Sequence, residues 1–213
     1  MNGTQRIMTA LARGIPDRVP HFELAYNEES IIKIARCFTK DLPQPDCIQR
    51  MDLESRVKLF DAVLLVMEEL DVDGLTLRIF PETRAIDAEH YKSLKIFKHT
   101  DGNHWKIMED LIEVGFDGIH PIQPQSLDLT EVKKQIGDRI CLLGNIDCRE
   151  TLVTKSVREV EEEVRRAIGV AGPGGGYILS SSNTIHPGVE AENYIAMVKA
   201  THEYGVYGTY DLS

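Results

Sequence analysis

Short apolar runs alternate with amphipathic stretches along the whole chain, and the runs end in polar residues. After a segment with Ile7, Ala10 and Leu11 on one helical face, Val19 to Tyr26 reads as a first strand. Helix follows, with Ile31, Ile34, Ala35 and Phe38 at helical spacing; a second helix has an expected apolar face of Val57, Phe60, Leu64, Met67 and Leu70. Asp73 to Arg78 and Leu94 to Lys98 are the next two strands, the latter leading into a helix with Trp105, Met108 and Leu111. Phe116 to His120 is a strand whose helix starts at an Asp128 cap, Ile140 to Asn145 is another, and Gly176 to Ser181 is the last. The helix after Asn145 carries Val157, Val160, Val164 and Ile168 on one face, and the final helix carries Tyr194, Met197 and Val198. Six such β/α units predict a parallel sheet covered by outer helices, in one domain spanning 1–213.

Composition narrows the reading. The chain has 213 residues, 42% of them hydrophobic, enough for an ordinary core but short of the roughly 250 residues typical of a full eight-unit barrel. The formal charge of −10 and the lack of a Lys/Arg stripe argue against nucleic acid as a partner. No apolar leader opens the chain and no run approaches the roughly 18 apolar residues of a membrane span, so a soluble cytoplasmic protein is expected. Cys37, Cys47, Cys141 and Cys148 form no CxxC pair; Cys141 is expected in the core, and Cys148 is the one cysteine expected to line a site.

The candidate chemistry sits at the strand ends, because in parallel α/β folds the βα loops converge there. His99 and Asp101 stand two apart at the end of one run, where the strand period of 2 points both side chains the same way. Such a pair can hold a metal, or the carboxylate can orient the imidazole. The other tips bring Glu23 and Tyr26, Arg78, Gln123 and Gln125, Asn145 and Asp147, and Asn183 and His186 to the same rim. Gly172-Pro173-Gly174-Gly175-Gly176 precedes a strand and lacks the register of a P-loop or dinucleotide fold, so it reads as a tight helix-to-strand turn on the opposite rim. Glu159, Glu161, Glu162 and Glu163 read as a solvated helix face, and Trp105 as a core anchor.

Asp17-Arg18-Val19-Pro20, His99-Thr100-Asp101-Gly102-Asn103, Pro121-Ile122-Gln123-Pro124, Gly144-Asn145-Ile146-Asp147, Pro173 to Leu179 and Glu192-Asn193-Tyr194 together resemble the uroporphyrinogen decarboxylase superfamily, in order along nearly the whole chain. The resemblance implies a (β/α)₈ TIM barrel, here an incomplete one of about six strands, with an internal deletion near 79–93 where two central units would stand. It also implies either cofactor-independent decarboxylation of uroporphyrinogen or methyl transfer with a corrinoid partner protein and zinc. The decarboxylase's substrate-binding arginines would fall where Glu23 to Glu28 stand, and its essential aspartate near Phe80. The methyltransferase branch carries His-x-Cys-Gly-Asn and a later Cys as zinc ligands; here His99 matches, Asp101 replaces the first cysteine, and Asn183 falls about where the second would be. A metal on His99 and Asp101, helped by Glu23 or His186, would therefore have a harder donor set than thiolates provide. The expectation is a methyltransferase-like enzyme with His99, Asp101 and Asp147 as catalytic residues and Glu23, Tyr26, Gln123, Asn145, Asn183 and His186 as substrate-binding ones. Its expected partners are a small or tetrapyrrole-related substrate, a corrinoid protein and a second copy of the chain. A non-catalytic, truncated relative is the alternative outside catalysis.

Overall fold

In a computed structural model of the chain, residues 1–76 and 95–208 are described. The Arg78 tip, the Phe80 position and the expected deletion near 79–93 lie outside them. Helix α1 (Gly3–Leu11) opens the chain, capped by the Asn2 side chain in a capping box with Gln5. Then come β1 (Phe22–Glu23), α2 (Glu28–Ala35), α3 (Leu53–Glu69), β2 (Gly74–Leu75), β3 (Phe97–His99) and α4 (Met108–Val114). The second half adds β4 (Gly118–His120), α5 (Leu129–Ile136), β5 (Cys141–Ile146), α6 (Thr151–Thr154), α7 (Val157–Ala171), β6 (Tyr177–Ser181) and α8 (Ala191–Tyr204).

All six expected strands are present and all ladders are parallel, in the orders β3-β4-β5-β6 and β1-β2. A parallel bridge between His21 and Leu179 joins the last strand to the first, so the wall runs β3-β4-β5-β6-β1-β2. This is the strand order of a β/α barrel. Among the described residues no ladder joins β2 to β3.

The wall curls. Phe22 on β1 and Phe97 on β3 stand four strands apart, a separation of about 19 Å in a flat sheet. Their rings nevertheless meet edge to face at 5.5 Å. Phe22, Cys141, Leu143 and Ile178 form an inner cluster with Ala10 and Leu11, so α1 plugs the N-terminal mouth. The alternate strand residues Ile119, Leu142, Tyr177 and Leu179 face the helices in the outer core, as a period of 2 requires. Gly118 lies against this plug: an added Cβ would stand 2.7 Å from Leu143 and 3.2 Å from Leu11.

Several element boundaries differ from the sequence reading. The first strand shrinks to two residues with isolated bridges at His21 and Tyr26, and the third begins at Phe97. Lys95 and the Ile96 amide donate to the Asp117 carboxylate, beside a backbone bond from the Asp117 amide to the Ile96 carbonyl, just ahead of the first register pair, Phe97 with Gly118. On α3 the buried face is Leu59, Ala62 and Val66, whereas Val57, Phe60 and Leu64, expected inside, are exposed. Trp105 is half-buried at the edge of the core, in a 3₁₀ turn (Trp105–Ile107). Glu163 is not merely solvated: it accepts from the Asp147 amide and the Thr151 hydroxyl. The glycine-rich turn is a turn, with Gly174, Gly175 and Gly176 all at positive φ. It packs on Arg13 and Gly14 behind the plug, on the rim away from the strand ends. Among the described residues no helix is long and apolar enough to cross a membrane.

Candidate active site

The polar centre forms where β3 and β4 end. His99 and His120 are register partners across that ladder, and Phe97 and Gly118 precede them on the inner face. Their rings lie 5.0 Å apart and their Nδ1 atoms 2.7 Å apart. On its other side, His120 Nε2 stands 3.1 Å from Ser180 Oγ and 3.2 Å from the Ser181 carbonyl oxygen. A carbonyl only accepts, so this network assigns the His120 proton to Nε2. His120 Nδ1 is then the acceptor, and His99 Nδ1–H is the donor to it. His99 is thereby held in the tautomer whose basic nitrogen is Nε2.

His120 is fully buried, and burial, followed by the nearby His99, lowers its pKa to about 3. It remains neutral near pH 7 and acts as the fixed acceptor behind His99. This half of the pair was missed in the sequence, where His120 read as the end of an apolar strand. Its identical register to His99, one strand later, is the signal that pairs them.

Asp101, two residues past His99, receives the Asn183 amide on both carboxylate oxygens at 3.1 Å. That contact joins the loops after β3 and β6 across the mouth. Gln123 accepts from the Gly102 amide at 2.6 Å and holds the same loop from β4. Gly102 has φ +83, a left-handed conformation suited to glycine at this tight return. His104 turns back onto the Gly102 carbonyl at 3.1 Å, and burial lowers its pKa. His99, Asp101, Gln123 and Asn183, expected together, therefore belong to one bonded rim. Asn145, the penultimate residue of β5, pairs with Ser180 and is buried, lining a cleft of about 300 Å³ with Gln125, Ser126 and Arg166.

The remaining expected residues are used elsewhere. Glu23 is fully buried behind the wall; it accepts from the Ser181 hydroxyl at 2.6 Å. It also lies 3.1 Å from His21 Nε2, within ion-pair distance but outside hydrogen-bond geometry. Tyr26 and Tyr194 share a hydroxyl–hydroxyl bond in the same outer layer, which burial keeps protonated. Glu23 and Tyr26 are the residues expected at the rim from a longer first strand; the short β1 and its alternation turn Glu23 toward α8. Asp147 accepts from the Arg149 amide at 2.8 Å, and its carbonyl receives the Leu152 amide, so it shapes the entry to α6. His186 has Nε2 on the Cys148 carbonyl and Nδ1 on the Gly188 amide, a loop brace. Cys148 is buried against Ser182, and burial raises its pKa; it is no open thiol.

The donors do not fit zinc. A catalytic zinc site takes three protein ligands. Here the Asp101 carboxylate is engaged by Asn183, and Glu23 and His186 point to other partners. Among the described residues no group of three or more His, Cys, Asp or Glu is arranged to hold a metal. What the arrangement does support is proton transfer. His99 Nε2 can take a proton while its Nδ1–H bond to His120 fixes the ring, with Asp101 nearby in sequence on the same rim.

The family model described as Uroporphyrinogen decarboxylase (URO-D) matches residues 59–204. A uroporphyrinogen decarboxylase from Thioalkalivibrio sulfidiphilus is 29% identical over 105 residues, 49% of this chain and 28% of that protein. One from Alkalilimnicola ehrlichii is 29% identical over 121 residues, 57% of this chain and 31% of that protein. The match thus spans about a third of the length of these relatives. Among solved structures, a methyltransferase from Methanosarcina mazei is similar in fold, with a TM-score of 0.59 at 12% identity, over 96% of this chain and 99% of that one.

Proposed function

The chain belongs to the uroporphyrinogen decarboxylase family, and from that premise we propose that it is a methyltransferase-like member that moves a methyl group between a small substrate and a corrinoid carried by a partner protein. The observation that carries this reading is the His99–His120 pair at the barrel mouth, with His99 Nε2 as the basic atom. A methyl acceptor bearing an O–H or S–H must lose its proton as its new bond to carbon forms. That proton goes to His99 Nε2, and the imidazolium shares its Nδ1 proton with His120. The electron pair of the broken cobalt–carbon bond stays on the corrinoid. In the reverse direction His99 returns the proton to the leaving oxygen or sulfur. The fold likeness to a methyltransferase supports the same direction.

Decarboxylation of uroporphyrinogen is the second reading, favoured by the activity for which the curated relatives are named. Asp101 or Asp147 would then stabilise the protonated pyrrole. The chain carries a net charge of −10, which disfavours a polyanionic substrate.

Purified chain incubated with methylcobalamin and a panel of thiols and phenols is expected to demethylate the corrinoid. His99→Gln should slow this by about 10²-fold, the range of a lost general base. Carbon dioxide release from uroporphyrinogen, with no methyl transfer in either direction, would replace this reading with the second one. Inactivity of the folded chain in both assays would favour the non-catalytic alternative.

A further inference from the structure

The cleft of about 300 Å³ lined by Asn145 lies among the loop after β4, the start of α5 and the flank of α7. Asn145 is 2% exposed, and its Oδ1 is buried without a hydrogen-bond partner among the described residues. A buried amide oxygen left unpaired costs free energy, so a donor delivered to it gains more than at a solvated oxygen. Arg166 of α7 lines the same cleft, exposed and without an ion pair within the described chain. The acids one turn before it on α7 are committed elsewhere. Glu162 pairs with Arg158, and Glu163 accepts from the Asp147 amide and the Thr151 hydroxyl. Asp128 supplies the opposite charge. Its Oδ1 caps α5 through the Glu131 amide at 2.8 Å, and no cation among the described residues pairs with it.

We propose that this cleft binds a small zwitterion, an α-amino acid with a short polar side chain. The lining offers one cation, one anion and one unpaired acceptor. The ligand's carboxylate pairs with Arg166, whose fork of donors matches two carboxylate oxygens. Its ammonium has three donors, which serve Asn145 Oδ1 and the Asp128 carboxylate. Gln125 and Ser126 present amide and hydroxyl groups to the ligand's side chain. A ligand that is only an anion would meet the Asp128 charge, and one that is only a cation would meet Arg166. Size selects a small member of the class: about 300 Å³ is the low end of small-molecule pockets, the share of roughly ten waters. Asn145 faces Ser180 across the β5–β6 ladder, and Ser180 Oγ stands 3.1 Å from His120 Nε2. The cleft thus abuts the histidine pair without including it, and its ligand does not depend on the methyl-transfer reading.

The test is isothermal titration calorimetry of the whole chain with L-serine and L-asparagine, with circular dichroism to verify the fold of each variant. At least one of the two should bind with a Kd of about 1 mM or tighter. The N-acetyl derivatives, which lack the ammonium, and the carboxamides, which lack the carboxylate, should bind about tenfold more weakly or worse. Arg166→Gln and Asp128→Asn each remove one exposed charge, and asparagine keeps the α5 cap. Each should weaken binding by about tenfold. Asn145→Leu keeps the volume, removes the acceptor and should act in the same direction; the two surface variants carry the test if it does not fold. Absence of binding by both amino acids overturns the proposal, as does affinity unchanged in either surface variant. N-acetyl derivatives that bind as tightly as the free amino acids overturn the zwitterion class. Neither Arg166 nor Asp128 touches the histidine pair, so methyl transfer by the same variants is a separate readout.

Discussion

His120 illustrates how one buried side chain serves both the site and the stability of the fold. In the folded chain it stays neutral down to about pH 3, whereas an unperturbed histidine takes its proton near 6.5. Between those values the unfolded state binds a proton that the folded state refuses. Stability therefore falls as pH drops from about 6.5 toward about 3, and the group costs nothing above that window. His202, lowered to about 4 by burial and by Arg18 and His21, acts with the same sign. The urea midpoint is expected to decline from pH 7 to pH 5, and His120→Gln should make that decline shallower. An identical slope in the variant would remove His120 from the account. At this scale the sequence announced His99 and Asp101 through their spacing. It could not announce His120, because a strand-end histidine after Ile119 looks the same whether it packs or pairs. Glu23 was misread for the converse reason: its polarity suggested the rim, while strand alternation buried it behind the wall.

Elements were the most legible level, since caps and periodicity are local. Ser156 and Glu159 form a capping box on α7, and Ser156→Ala should cost about 1 kcal/mol in urea unfolding. The glycine-rich turn before β6 is a stricter case. Gly175 has φ +78, and a Cβ there would stand 2.3 Å from the Gly14 carbonyl oxygen. Backbone cannot swing aside as a side chain can. Gly175→Ala should therefore destabilise more than the cap variant, by about 2 kcal/mol or more, in the same measurement. A smaller effect at Gly175 than at Ser156 would contradict that packing. Helix α3 marks the limit of periodicity. Its sequence contains two apolar stripes, Leu59-Ala62-Val66 and Val57-Phe60-Leu64, and the pattern alone could not say which one meets the sheet.

For the molecule as a whole, the described wall is held at its β2 edge by a buried carboxylate. Asp73 is fully enclosed and accepts from Arg18 at 2.6 Å, Arg6 at 3.0 Å and the His21 amide at 2.9 Å. It ties α1, the approach to β1 and the start of β2 into one unit. Asp73→Ala would leave two guanidinium groups without that partner, a loss of about 3 kcal/mol, read as a lower urea midpoint. A variant as stable as the parent would assign the edge's cohesion to packing alone. By itself the sequence determined the six β/α units, their parallel order, the family and the rim on which His99 and Asp101 stand, because all of these follow from short-range periodicity and contiguous motifs. The tertiary structure alone decided which tips converge: His99 with His120, Asp101 with Asn183, and Glu23, Tyr26 and His186 with other partners. The His99–His120 pair depends on the register of neighbouring strands and the Asp101–Asn183 pair on how the wall brings the ends of β3 and β6 together; both join residues far apart in the chain and are written in no local pattern.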